Sequence, residues 1–276
     1  MVHQVRGAEP GRNGQANPKA AAWDAIGAAY WNAGYRGGPT RGDIDTYLQG
    51  VGPGLPVAIV GASTRHLVAA AVDRGAQVTV LDFSPRMRAA LADDLAGRPC
   101  RIVAQDLTSD VPAGLVRGFR LVLADRLLNR FVERELRRAL RQLLRLVDDG
   151  GQVRTSVRLG LYQRDLPLIE AGRRRGLLHR FFDESTWVID YGAAGDLLDE
   201  VLPPHGDIPR DVLLSFYRLR GPEQRLRPGD LERYLAGTSD GSRGLRVSAV
   251  RPFVDALDDS LYVLEPFARE SMGAAR

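Results

Sequence analysis

VAIVGASTRHLVAAAVDRGAQVTVLDFSPRMRAAL, from Val57 to Leu91, is the stretch on which the fold turns. It opens on Val57 to Val60, an apolar run with no polar face, as expected of a strand covered on both sides. Small residues follow, Gly61-Ala62-Ser63, and then an alanine-rich helical stretch, Arg65 to Arg74, that stops at Gly75. The next apolar run, Gln77 to Leu81, is closed by Asp82. Ser84-Pro85 reads as the N-cap and first position of a second helix. Strand and helix alternating at this spacing make βαβ units, and therefore a parallel sheet.

The alternation continues downstream. Arg101 to Ala104 is a third strand, leading to Asp106, and Phe119 to Ala124 is a fourth. A long amphipathic helix over Glu133 to Val147 precedes a DDGG turn, Asp148 to Gly151, and a fifth strand, Gln152 to Val157. Residues 158–227 break the pattern and read as an insertion. A helix over Pro228 to Leu235 and two strands, Leu245 to Val250 and Leu261 to Leu264, close the chain as an antiparallel pair. Upstream, residues 1–19 read as a disordered leader and residues 20–56 as a helical lid. Within the lid, Ala20 to Asn32 carries Trp23, Ile26, Tyr30 and Trp31 near one face. A glycine-rich turn, Gly34 to Gly42, leads to a short helix, Ile44 to Leu48, capped by Asp43. The predicted fold is α/β: a mostly parallel twisted sheet over residues 57–276 with helices on both faces and an insertion after the fifth strand.

Composition removes several classes of function. One cysteine, Cys100, leaves no disulfide framework and no thiolate metal cluster within a chain, and no metal is expected. Lys19 is the only lysine and falls in the expected leader, which argues against a Walker lysine, a Schiff-base lysine or a tyrosine–lysine dehydrogenase pair. The net charge is +4, but the arginines are scattered among aspartates, so no nucleic-acid stripe is expected. No apolar run approaches the ~20 residues that cross a bilayer, and the first nineteen residues lack a secretory apolar core. No membrane partner and a cytoplasmic location are expected.

In an open α/β sheet the ligand lies beyond the carboxyl ends of the strands. Those ends are Gly61 to Arg65, Asp82 to Ser84, Asp106-Leu107, Asp125-Arg126 and Val157 to Tyr162. Small residues at the first allow a ligand near backbone, and the helix from Arg65 offers free amides. A carboxylate at Asp82 can accept from both hydroxyls of a ribose, and one at Asp106 from the exocyclic amine of an adenine.

Val57 to Leu91 resembles the opening of a class I S-adenosylmethionine-dependent methyltransferase, and VAQDLTSDVP (Val103 to Pro112) resembles its adenine-contacting segment. The DDGG turn is also typical of that family. The resemblance covers about Val57 to Tyr162 and Pro228 to Leu264, and implies a Rossmann-like methyltransferase fold with S-adenosyl-L-methionine as cofactor. It implies that Gly61, Ala62, Ser63 and Arg65 line the methionine end, that Asp82, Phe83 and Ser84 serve the ribose and adenine, and that Asp106 and Leu107 flank the base. Three positions depart from the family: Ile59 stands for its strand-one acid, and Ser63 and Arg65 for loop glycines. Asp125, His66 and Tyr30 are the candidates for a general base, with Asp125 also near the cofactor; Trp31 and His205 are further candidates. The aromatic cluster Phe181, Phe182, Trp187 and Tyr191 suits either an apolar substrate pocket or a homodimer contact. The expected activity is methyl transfer to a small molecule, such as a specialised metabolite. The alternative is a methyltransferase-like protein that binds the cofactor or its product without methylating.

Overall fold

The main sheet has nine strands, and its central parallel ones are buried along almost their whole length. The computed structural model describes residues 3–4, 18–32, 38–253, 255–256 and 258–269. The strands are β1 (His3–Gln4), β2 (Pro56–Val60), β3 (Gln77–Asp82), β4 (Cys100–Ala104), β5 (Phe119–Ala124), β6 (Val147–Arg158), β10 (Ser239–Asp240), β11 (Arg243–Pro252) and β12 (Asp259–Ala268). Their order across the sheet is β1-β4-β3-β2-β5-β6-β12-β11-β10. Pairing is parallel from β1 to β6 and antiparallel from β6 to β10. In β2, Val57 lies between Val78 and Leu121, and Val60 between Leu81 and Ala124. The chain winds from β2 to β3 and β4 on one side, then returns to β5 on the other. A crevice therefore opens beyond the ends of β2 and β5.

Helices cover both faces. The helix α3 (Arg41–Tyr47) packs with α4 (Arg65–Asp73) and α5 (Pro85–Asp94) on one face, burying Ile59, Leu67, Val80 and Met87. The other face takes α6 (Glu133–Leu146) and α10 (Asp230–Ala236), through Leu136, Leu140, Leu143 and Tyr234. Ser84 is the N-cap of α5, its Oγ accepting from the Met87 amide at 3.0 Å, with proline at the first turn. The expected cap of α3 is corrected. Thr40 holds that position, and Asp43 is the third helical residue of a reciprocal capping box that also accepts from the Thr40 amide. The DDGG segment is not a free turn but the irregular start of β6. A Cβ on Gly151 would stand 2.7 Å from the Arg120 carbonyl, so glycine is required for this approach.

The insertion builds its own core. It contains α7 (Asp165–Arg174), β7 (Phe182–Asp183), β8 (Val188–Asp190), α8 (Asp196–Val201), α9 (Arg210–Leu219) and β9 (Pro222–Gln224), the strands forming a small antiparallel sheet. The N-terminal helices α1 (Pro18–Ile26) and α2 (Ala29–Asn32) join this core, with Ala22, Ile26 and Tyr30 packed among Ile189, Phe216 and Tyr217. Cap and insertion are thus one packed layer over the carboxyl ends of the strands. Two parts of the expected leader are ordered: His3–Gln4 pairs with Arg101 and Ile102, and Lys19 lies within α1. Residues 1–2 and 5–17 of the leader and residues 34–37 of the Gly34 to Gly42 turn lie outside the described residues. Among the described residues no helix is long and apolar enough to cross a membrane.

A buried ion pair locks the insertion. The Arg225 Nε donates to Asp165 Oδ2 at 2.6 Å, and Tyr191 donates to Asp165 Oδ1 at 2.5 Å. Removing one partner of a buried pair leaves an uncompensated charge and costs ~3–5 kcal/mol. Asp165→Ala is expected to lower the unfolding free energy by about that amount in urea titration. At the neighbouring Leu166, which is 53% exposed, substitution by alanine should change it by less than about 0.5 kcal/mol.

Candidate active site

The ends of β2, β3, β4 and β5 meet the cap in one cleft, enclosing about 910 Å³ of space with the solvent at its mouth included. Of the residues expected there, Gly61, Ser63, Asp82, Phe83, Asp106, Leu107, Asp125 and Tyr30 line it.

The first part of the cleft is organised by Asp82. Its Oδ2 accepts from the Ala62 amide at 2.6 Å and its Oδ1 from the Ser84 amide at 2.7 Å. Gly61 makes the first contact possible, since its φ of 103° favours glycine and turns the chain sharply at the end of β2. Asp82 is almost wholly buried, and burial outweighs the two amide bonds, lifting its carboxyl from the ordinary 3.8 to about 6. Beside it, the Asp106 Oδ1 accepts from the amide and hydroxyl of Thr108, both at 2.8 Å. Gln105 fastens the same loop by donating to the Asp106 carbonyl at 2.7 Å. From the cap, Trp31 donates its indole N–H to the Ser63 carbonyl at 3.2 Å.

The middle of the cleft holds Asp125 at the end of β5. Its Oδ1 accepts from Ser156 Oγ at 2.7 Å and from the Tyr47 hydroxyl at 3.1 Å. Ser156 also closes the loop behind it, its amide donating to the Tyr47 oxygen and its Oγ accepting from the Arg126 amide. Burial raises the Asp125 carboxyl above its ordinary range, opposed by the Arg126 charge and these hydrogen bonds. Arg126 is itself held at 2.7 Å by Asp259, whose other oxygen accepts from Arg158 at 2.6 Å.

Apart from Tyr30, the far end is built from residues that the sequence reading did not place at the site. Lys19 reaches in from α1, donating to Glu135 at 2.5 Å and to the Arg130 carbonyl at 2.7 Å. Arg130 follows β5, and Arg220 and Glu223 come from the insertion. Trp23, Tyr30 and Phe131 supply the aromatic surface. Arg126 and Arg130 could have been weighed from their position after a strand end. Nothing local marks Arg220 or Glu223, which enter through the fold of the insertion.

Several expected residues stand elsewhere. Ala62 is fully buried and serves through its amide, while Ser84, also buried, is spent on capping α5. Arg65 turns outward to Asp94 at 3.3 Å and lies over the Trp31 ring, and His66 is exposed. Both line a smaller neighbouring pocket that shares Ser63 and Tyr30 with the main cleft. That geometry separates His66 from Asp125 and removes it from the group facing the cleft. The exposed turn at His205 is also separate from the cleft. Phe181, Phe182 and Tyr191 are not pocket lining but the buried core of the insertion, because they pack against α1 and α9. Ile59 is buried under α4 and brings no acceptor to the cleft.

No protein-family model and no curated protein matches the chain. Among solved structures, one from Rhodobacter sphaeroides, described provisionally as a Zn-dependent alcohol dehydrogenase, is 41% identical over 92% of this chain and 100% of that one, with a TM-score of 0.88. The CcbJ methyltransferase from Streptomyces caelestis aligns at 15% identity over 91% of this chain and 99% of that one, with a TM-score of 0.57. The glycopeptide N-methyltransferase MtfA, complexed with S-adenosyl-L-homocysteine, aligns at 17% identity over 84% and 88%, with a TM-score of 0.52. The donor set for a zinc ion is not matched: among the described residues no group of three or more His, Cys, Asp or Glu could hold a metal. The chain belongs to one family with the Rhodobacter sphaeroides protein, and its fold is that of the class I S-adenosylmethionine-dependent methyltransferases.

Proposed function

We propose that this protein transfers a methyl group from S-adenosylmethionine to a small molecule. The observation that carries the reading is the convergence of Gly61, Asp82, Phe83, Asp106 and Leu107 in one cleft at the switch in strand order. Each Asp82 oxygen is used once by an amide and keeps accepting capacity for a ribose hydroxyl. Phe83 and Leu107 offer apolar surface to a base, with the Asp106 carboxylate beside it. The cofactor, when bound, supplies a methyl group already activated on a sulfonium, so positioning accounts for much of the catalysis. Asp125, oriented by Tyr47 and Ser156 and raised by burial, is the group best suited to take a proton from a hydroxyl or amine acceptor. Tyr30 shapes the acceptor side.

A second reading, binding without transfer, draws support from the methionine end. Ile59 is buried and Arg65 is paired with Asp94, so neither assists a methionine there. The dehydrogenase description of the Rhodobacter sphaeroides protein is tested by the same assay. Calorimetry with S-adenosylhomocysteine and with NAD should give binding by the first alone; binding by NAD alone would overturn the methyltransferase reading. Asp82→Ala is expected to weaken S-adenosylhomocysteine by about tenfold, or ~1.4 kcal/mol. Binding accompanied by no methyl transfer to any of a broad acceptor panel would favour the second reading.

The pH dependence follows from Asp82. Its carboxyl is raised on folding, so the folded state holds the proton longer than the unfolded chain. The stability this confers is full below about 3.8 and is lost as pH rises through about 6. It amounts to something on the order of 3 kcal/mol. The difference in unfolding free energy between wild type and Asp82→Asn should therefore shift against the wild type across that window. Affinity for S-adenosylhomocysteine should move the other way, strengthening as Asp82 ionises above about 6.

A further inference from the structure

Arg220 stands in the cleft wall with one buried donor unmet. Its side chain is 4% exposed, yet its Nη1 is buried without a hydrogen-bond partner. The rings of Tyr191, Phe216 and Tyr217 stand 5.0 to 5.3 Å from the guanidinium and fix its plane, while Nε and Nη2 are engaged by Glu223. Arg130 faces the same cleft, and its contacts to the Glu223 oxygens are long, 3.4 and 3.5 Å. The third guanidinium on Glu223 belongs to Arg225, at 3.1 Å, and that residue also holds Asp165.

Among Arg130, Arg220, Arg225, Glu223 and Asp165, three guanidiniums share two carboxylates, one positive charge in excess within this group. The most exposed of the five side chains, Arg130, is only 21% exposed. Burying an unmatched charge costs several kcal/mol unless a counter-charge arrives. The other charges of the cleft do not supply one. Lys19 is matched by Glu135, Arg126 is held by Asp259, and Asp82, Asp106 and Asp125 belong to the β-strand end. A planar, singly charged anion fits the guanidinium fork and the size of the deficit. The aromatic surface of Trp23, Tyr30 and Phe131 in the same cleft fits an apolar body attached to it.

We propose that the methyl acceptor is an aromatic or otherwise apolar carboxylic acid, its carboxylate bound by Arg220 and Arg130. This rests on the methyltransferase reading only for the word acceptor; the anion site stands on the cluster itself. The test uses para-hydroxybenzoate and indole-3-acetate, each against its neutral amide, titrated with and without saturating S-adenosylhomocysteine. Each acid should bind at least about tenfold more tightly than its amide. Arg130→Gln and Arg220→Gln should each remove that preference and leave the affinity for S-adenosylhomocysteine within about twofold. Should Arg220→Gln fail to fold by circular dichroism, the part-exposed Arg130→Gln carries the test alone. Amides that bind as well as the acids, a preference that survives Arg130→Gln, or acids that do not bind at all would each overturn the proposal. Loss of S-adenosylhomocysteine binding from the wild type, with the acid preference intact, would instead overturn the methyltransferase reading.

Discussion

One buried carboxylate joins the parts of this molecule that matter for its chemistry. Asp82 accepts from an amide of the glycine loop after β2 and from an amide at the start of α5. Ser84, whose amide it holds, donates its hydroxyl to Asp24 of α1, and Asp24 in turn receives the Arg86 amide. A single line of hydrogen bonds thus runs from β2 through β3 and α5 to the N-terminal helix. The loop that would approach a ligand is fixed to Asp82 directly, and the helix that covers it is fixed through Ser84, the next residue along that line. The two amides offset only part of the penalty of burying this carboxylate, so its place here is a cost that the order of both loops accompanies.

The cap obeys a different rule from the sheet beneath it. Its cohesion comes from aromatic edge-to-face contacts, Trp23 with Tyr30 and with Phe216 at 5.2 Å, and from guanidiniums stacked on rings. Charged groups enter this apolar layer only in groups, as with Asp165, Glu223 and the arginines around them. Cations concentrate at one end of the cleft and carboxylates at the other, so the cleft is electrostatically polar along its length. A ligand with an adenosine end and an acceptor with an acidic end would lie in that field head to tail.

The sheet was legible in the sequence because its strands are short, apolar and punctuated. Val57 to Val60, Gln77 to Leu81 and Phe119 to Ala124 each read as strands, and each is one. The acids at their ends were legible for the same reason, since strand ends fix where a following residue must stand. The cap was not. Lys19 looked like part of a tail because nothing in a polar segment announces a partner at Glu135, 116 positions away. The insertion aromatics looked like a pocket or a dimer contact because residue type alone does not separate an exposed surface from a core; Phe181 and Tyr191 are core once α1 packs on α9. The ring faces at the far end of the cleft come from Trp23 and Phe131, which local patterning could not bring together.

The position of β12 has a consequence for how the sheet closes. Among the described residues it follows every other strand in sequence, yet it lies inside the sheet between β6 and β11. Its first residue, Asp259, is the counter-ion of both Arg126 and Arg158. Because β12 follows β11 in sequence yet lies between it and β6, β6 keeps an open edge until β12 is in place. Closing the sheet and bringing the Asp259 carboxylate to Arg126 and Arg158 beside the cleft are therefore one event.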